Sequence, residues 1–169
     1  MEPVKFVALD RDDLEVVSTH LQDALVKVAD VIWRPKEERL VVVLSRFDWL
    51  AAEGTRPELR RCRSALRFER VNCCKCRNVD PAGKDAVLNL LAVEFSEANP
   101  PGGVVTLIFS GGGVLRLAGG GLEAELGELG PPWPEAQSPL HSGLANHVWG
   151  WAPHPVLLST SEDAPGHRC

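Results

Sequence analysis

Residues 87–117 read VLNLLAVEFSEANPPGGVVTLIFSGGGVLRL, and the punctuation of this stretch decides the fold. Apolar runs over residues 87–95, 104–109 and 114–117 are strand-sized and are separated by groups that interrupt regular structure. Asn99, Pro100, Pro101, Gly102 and Gly103 make the first break, and Ser110, Gly111, Gly112 and Gly113 make the second. Leu88, Leu90 and Ala92 fall on one side of the first run and Asn89, Leu91 and Val93 on the other, the period of two of an extended chain. Parallel neighbours need a long crossover, so connections this short predict antiparallel pairing.

The same pattern continues upstream. Residues 64–76 predict a strand with Leu66 and Phe68 on one face and Arg67 and Glu69 on the other, bulged near Arg70. Residues 51–61 predict a polar, Arg-rich connection around Gly54 and Pro57. Residues 39–48 pair with the stretch from Ala24 to Trp33, irregular near Asp30, as a hairpin across Pro35-Lys36-Glu37-Glu38. Leu14, Val17 and Leu21 lie on one helical stripe over residues 12–22, behind a short strand over residues 4–9. Asp10, Asp12 and Asp13 read as capping and dipole-complementing groups at that helix start rather than as a cation site. Downstream, Leu122, Leu126 and Leu129 predict a short amphipathic helix ended by Gly130-Pro131-Pro132.

The fold class expected is therefore α+β, mainly β. It is an antiparallel bent sheet or small barrel, by analogy of the pleckstrin-homology-like kind, with a short N-terminal and a short C-terminal helix. Residues 1–130 form the single domain, and residues 131–169 an irregular or disordered tail rich in Pro, Ser and His. A chain of 169 residues buries roughly two-thirds of its unfolded surface, enough for one core without metal or disulfide staples.

The formal net charge of -5 argues against indiscriminate binding to nucleic acid by the whole molecule. The N-terminus MEPVKFVALDRDD lacks the basic and apolar regions of a secretory signal, and no apolar run nears the ~18 residues of a membrane span. A soluble, cytoplasmic protein is expected. Cys62, Cys73, Cys74, Cys76 and Cys169 make a poor disulfide framework, and Cys73-Cys74-Lys75-Cys76 has no second pair to complete a structural zinc site. These cysteines read as small apolar filler, and neither metal nor cofactor is expected.

The densest functional signal is basic. Arg56, Arg60, Arg61, Arg63, Arg67, Arg70, Lys75 and Arg77 fall in one loop and strand, interrupted by Glu58 and Glu69. Guanidinium forks suit phosphate, so Arg60, Arg61, Arg63 and Arg67 form a candidate anion-binding set. A second candidate polar site joins His20 and Asp23 with Asp48, a possible base and its orienting carboxylates, with no nucleophile beside them. The segment Arg46-Phe47-Asp48-Trp49 reads as a strand-end ion pair with aromatic anchors.

Several blocks in one order carry a resemblance: FVALDRDDLEVVSTHLQDALVKVADVIW, RFDW, FERV, LNLLAVEF, GGVVTLIFSGGGVLRL and EAELGELGPPWP. Together they resemble the bacterial domain-of-unknown-function family 2948, over about residues 4–133. The resemblance implies a small cytoplasmic bacterial protein and no reaction, ligand or partner. Ala118-Gly119-Gly120-Gly121 departs from the larger residues of similar chains, and the segment from about residue 142 lies outside the likeness.

The function expected is a non-catalytic binding or protein-interaction module with a protein partner and no membrane association. The alternatives are RNA or phosphate-ligand binding through the stretch from Arg56 to Arg77, and an enzyme using His20 with a carboxylate. Since residues 142–169 show no core-forming period, deleting them is expected to leave the melting temperature within a few degrees of the full chain. A larger loss by calorimetry would show that Trp149 and Trp151 pack on the domain.

Overall fold

The structure is a computed structural model that describes residues 5–53 and 55–135. Strand β1 (Lys5–Ala8) leads into helix α1 (Arg11–Leu21), then β2 (Ala24–Lys27), a 3-10 turn over Val28–Asp30, β3 (Val31–Arg34) and β4 (Arg39–Phe47). A single helical turn, α2 (Trp49–Ala52), precedes β5 (Arg60–Phe68) and β6 (Val71–Arg77). The strands β7 (Val87–Glu97), β8 (Gly103–Phe109), β9 (Val114–Gly119), β10 (Ala124–Glu128) and β11 (Trp133–Pro134) complete the order.

All ladders are antiparallel, in the order β1-β10-β5-β4-β2-β7-β8-β9-β6, with β3 added to β4 and β11 to β5. The described residues are thus mostly β, an open antiparallel sheet with two short helices. No ladder joins its ends β1 and β6. The sheet nevertheless bends back on itself, because the Val71 amide at the start of β6 donates to the Glu38 carbonyl beside β4 (2.8 Å). One apolar cluster fills the concave side, with Leu40, Leu66, Phe68, Leu90, Leu107 and Leu117 almost wholly buried.

Helix α1 forms where its stripe predicts. Asp10 is its N-cap, accepting from the Asp13 amide (2.8 Å), and Leu14, Val17 and Leu21 are buried. The helix lies along the part of β7 that β2 leaves unpaired. There the Val93 amide donates to Ser18 Oγ (2.9 Å), beside the register shift between Leu90 and Ala92.

Several expectations are corrected. Residues 122–129 hold strand β10 instead of a C-terminal helix. Ala124 and Leu126 face the core, Leu126 lies opposite both Phe6 and Leu66, and Leu129 is exposed. The slot between β1 and β5 accepts only an extended chain, and its ladder bonds outweigh the weak helical pattern. The run from 64 to 76 is two strands, divided at Arg70 in the left-handed region (φ 60°). β5 already begins at Arg60, so Arg60 and Arg61 lie in the sheet rather than in the preceding connection. The segment 24–33 is interrupted by a full 3-10 turn. Past residue 130, β11 pairs with β5, and Glu135 N bonds to the Leu59 carbonyl (2.7 Å). The rest of the tail expected over 131–169 lies outside the described residues.

Gly119 has a steric reason. A methyl group there would collide with the Arg70 carbonyl oxygen, where the corner between β5 and β6 crosses the end of β9. Replacing Gly119 by Ala is expected to cost about 1–3 kcal/mol in urea unfolding, the range of overpacked sites. Gly127→Ala, in a strand position with nothing within 4 Å of the added carbon, is expected to be neutral or slightly stabilising.

Candidate functional site

The arginines of β5 do not form a naked cationic face. Alternation turns Ser64, Leu66 and Phe68 inward and Arg63 and Arg67 outward, while β10 and the segments flanking the strands supply acids. Arg67 Nη2 reaches Glu125 (3.0 Å) and its Nε lies 3.3 Å from Glu69. Arg63 is half-exposed and meets Asp30 at 3.8 Å. Arg60 donates through Nε to Asp48 (2.8 Å) and approaches Glu58 at 3.4 Å. Arg61 is buried, with Nε donating to Glu135 (2.6 Å) and Nη1 to the Ser45 carbonyl (3.1 Å). A further buried pair joins Arg46 Nη2 to Glu128 (2.6 Å), with Arg46 Nε unmatched. Arg46 and Asp48 therefore do not pair with each other: Arg46 takes Glu128 and Asp48 takes Arg60.

The candidate set His20, Asp23 and Asp48 is only partly brought together. His20, in the last turn of α1, stacks on Phe6 (centroids 4.5 Å apart). Burial and the Arg46 guanidinium lower its pKa, against the raising pull of Asp48 and Glu53. Asp48 caps α2, accepting from the Ala51 amide (3.1 Å). Burial works to raise the pKa of Asp48. The hydrogen bonds from Arg60 and Ala51, with the charges of Arg60 and Arg46, outweigh it and hold the carboxyl below the usual range. Asp23 is engaged elsewhere, its Oδ1 accepting from Asn89 Nδ2 at 3.4 Å. Cys62, opposite Arg46 on the neighbouring strand, is buried, and burial pushes its thiol up, away from the thiolate. Among the described residues, no three His, Cys, Asp or Glu side chains cluster as metal ligands would.

A third place is absent from the local patterns of the sequence. The bend leaves β3, paired only with β4, facing β6, paired only with β9. Between them opens a cavity of about 460 Å³. Cys74, Cys76, Leu88, Phe109 and Leu115 form its buried floor, and Val28, Val31 and Trp33 its wall. Ile32, Pro35, Pro81 and Lys84 stand at the mouth. Burial raises the Cys74 thiol to about 12, with Cys76 adding to the effect, so Cys74 stays protonated at neutral pH. No single segment supplies this site, which draws on β3, β6, β7, β8 and β9 and the turn before β7. On β6 the cleft takes Cys74 and Cys76, which are free thiols, whereas Cys73 is disulfide-bonded, against the expectation that all these cysteines are apolar filler.

The fold and cleft define a small, mainly β domain with a lateral apolar recess. The chain belongs to the family described as proteins of unknown function (DUF2948), which it matches over residues 4–141. Neither the curated proteins nor the solved structures give a match. Among the described residues, no helix is long and apolar enough to cross a membrane.

The ionic cluster at the end of β4 sets an acid dependence. His20 and Asp48 both have depressed folded pKa values, so each favours the fold above its unfolded pKa and loses that contribution as pH falls. The loss begins with His20 below about 6.5 and continues with Asp48 below about 4. Asp48→Asn is expected to lose about 1–3 kcal/mol at neutral pH, since Arg60 loses its charged acceptor. That deficit should shrink as denaturant melts are repeated down the acid range, where the native carboxylate is itself protonated.

Proposed function

We propose that the protein is a non-catalytic binding module whose ligand site is the apolar cleft between β3 and β6. One observation carries this reading: a recess of about 460 Å³, within the range of small-molecule sites and walled by apolar side chains on rigid strands. A second recess of about 530 Å³ between α1 and β7 has three charged residues, Arg11, Glu15 and Glu94, in its lining.

The alternatives are less well supported by the same geometry. RNA or phosphate bound through Arg60, Arg61, Arg63 and Arg67 would have to displace a carboxylate from each of them. An enzyme built on His20 would need Asp48 released from Arg60. A protein partner remains compatible with the cleft, since an apolar side chain of that partner would enter it as a small molecule does.

A neutral fluorophore tests the reading without help from charge. N-phenylnaphthylamine is expected to bind saturably, one per chain, with enhanced emission and a raised melting temperature. Val31→Trp, which fills the wall, is expected to weaken binding by about tenfold or more, equal to ~1.4 kcal/mol, with an unchanged circular dichroism spectrum. No saturable binding, or equal binding by this variant, would remove the cleft as the site.

A further inference from the structure

The chemistry at the mouth narrows the class of ligand. Among the described residues that line the cleft, Lys84 alone is charged. No ion pair to a described residue occupies its ammonium group, and its side chain is exposed. Its backbone is nevertheless held in place. The Lys84 amide donates to the Ala82 carbonyl (2.9 Å), and its own carbonyl accepts from the Ala29 amide (3.1 Å). One turn on, the Val28 amide donates to the Ala86 carbonyl (2.9 Å). The turn that carries Lys84 is therefore stitched to the 3-10 turn that begins the cleft wall. The acids of this turn do not compete for the ammonium group: neither Asp80 nor Asp85 lines the cleft, and Asp80 Oδ1 accepts from the Ala82 amide (2.9 Å).

We propose that the cleft takes an amphipathic carboxylate, with its apolar body between β3 and β6 and its carboxylate against the Lys84 ammonium at the mouth. This rests on the cleft being the ligand site. Among the described lining residues a cationic headgroup finds no carboxylate, and a multiply charged phosphate finds a single positive charge rather than a cluster. A flexible lysine stem can lie along the apolar rim while its head stays in water, the arrangement that meets a carboxylate emerging from such a recess.

Matched probes of one chain length decide it: decanoate, decanol and decylammonium, each displacing N-phenylnaphthylamine from the full chain below its micellar concentration at low salt. Decanoate is expected to bind about three- to fivefold tighter than decanol, the scale of an exposed ion pair, and added salt should erode the advantage. Lys84→Gln should bring the two together, through a larger loss for decanoate than for decanol, and Lys84→Glu should turn the preference toward decylammonium. Lys84 is exposed, so both variants are expected to fold, and decanol binding reports that they have. Equal binding of decanoate and decanol to the unaltered protein would overturn the carboxylate proposal while leaving the apolar site standing. Displacement by none of the three would overturn both.

Discussion

The left-handed backbone at Arg70 is the constraint on which the rest of the architecture turns. A non-glycine residue at φ 60° costs roughly 1–2 kcal/mol, so its surroundings must hold it there. They do so on both sides. The Glu69 amide donates to Glu123 O and the Val71 amide to Glu38 O, while Arg70 Nη2 reaches the Gly120 carbonyl. Were the chain to continue straight from β5, residues 71–77 would run past the start of β4, where Phe68 already faces Leu40. Turned at Arg70, they become the last strand beyond β9, at the opposite end of the sheet from β1. The seam between β3 and β6, and with it the cleft, is a consequence of that one corner. The bare backbone of Gly119 is what allows the corner to pass so close.

The periods in the sequence were readable wherever one period excluded the other. Leu14, Val17 and Leu21 lie three and four apart, a spacing that puts them on opposite faces of a strand, so the helix was unambiguous. The hairpins between residues 87 and 117 were equally plain, since glycine and proline marked each turn. Leu122 and Leu126 are four apart, which is one face of a helix and also one face of a strand. Only Leu129 distinguishes the two, seven positions on, and it is exposed while Ala124 is buried. Local pattern could not rank those two residues, because the deciding energy lies in the β1 and β5 ladders on either side. The cleft was unreadable for a stronger reason: Val31, Cys74 and Phe109 meet only once the sheet has bent.

The arginines show the same division between local and distant information. Their density between Arg56 and Arg77 is plain in the sequence, but the acids that meet them come from Asp30, Asp48, Glu125 and Glu135. Two of the ionic contacts, Arg46 with Glu128 and Arg61 with Glu135, are buried almost completely on the arginine side. Such pairs recover little net energy after desolvation, yet losing one partner strands the other charge. They therefore discriminate against other placements of residues 128–135 more than they add to stability.

β10 occupies the slot between β1 and β5, pairing Leu126 with Phe6 on one side and with Leu66 on the other. On the ribosome β1 emerges early and β5 midway, and neither can meet this neighbour until residues 124–128 have left the exit tunnel. During that interval the outer edge of β5 and both edges of β1 stay open to other chains, and the sheet can be finished only after nearly all of the described residues have been synthesised.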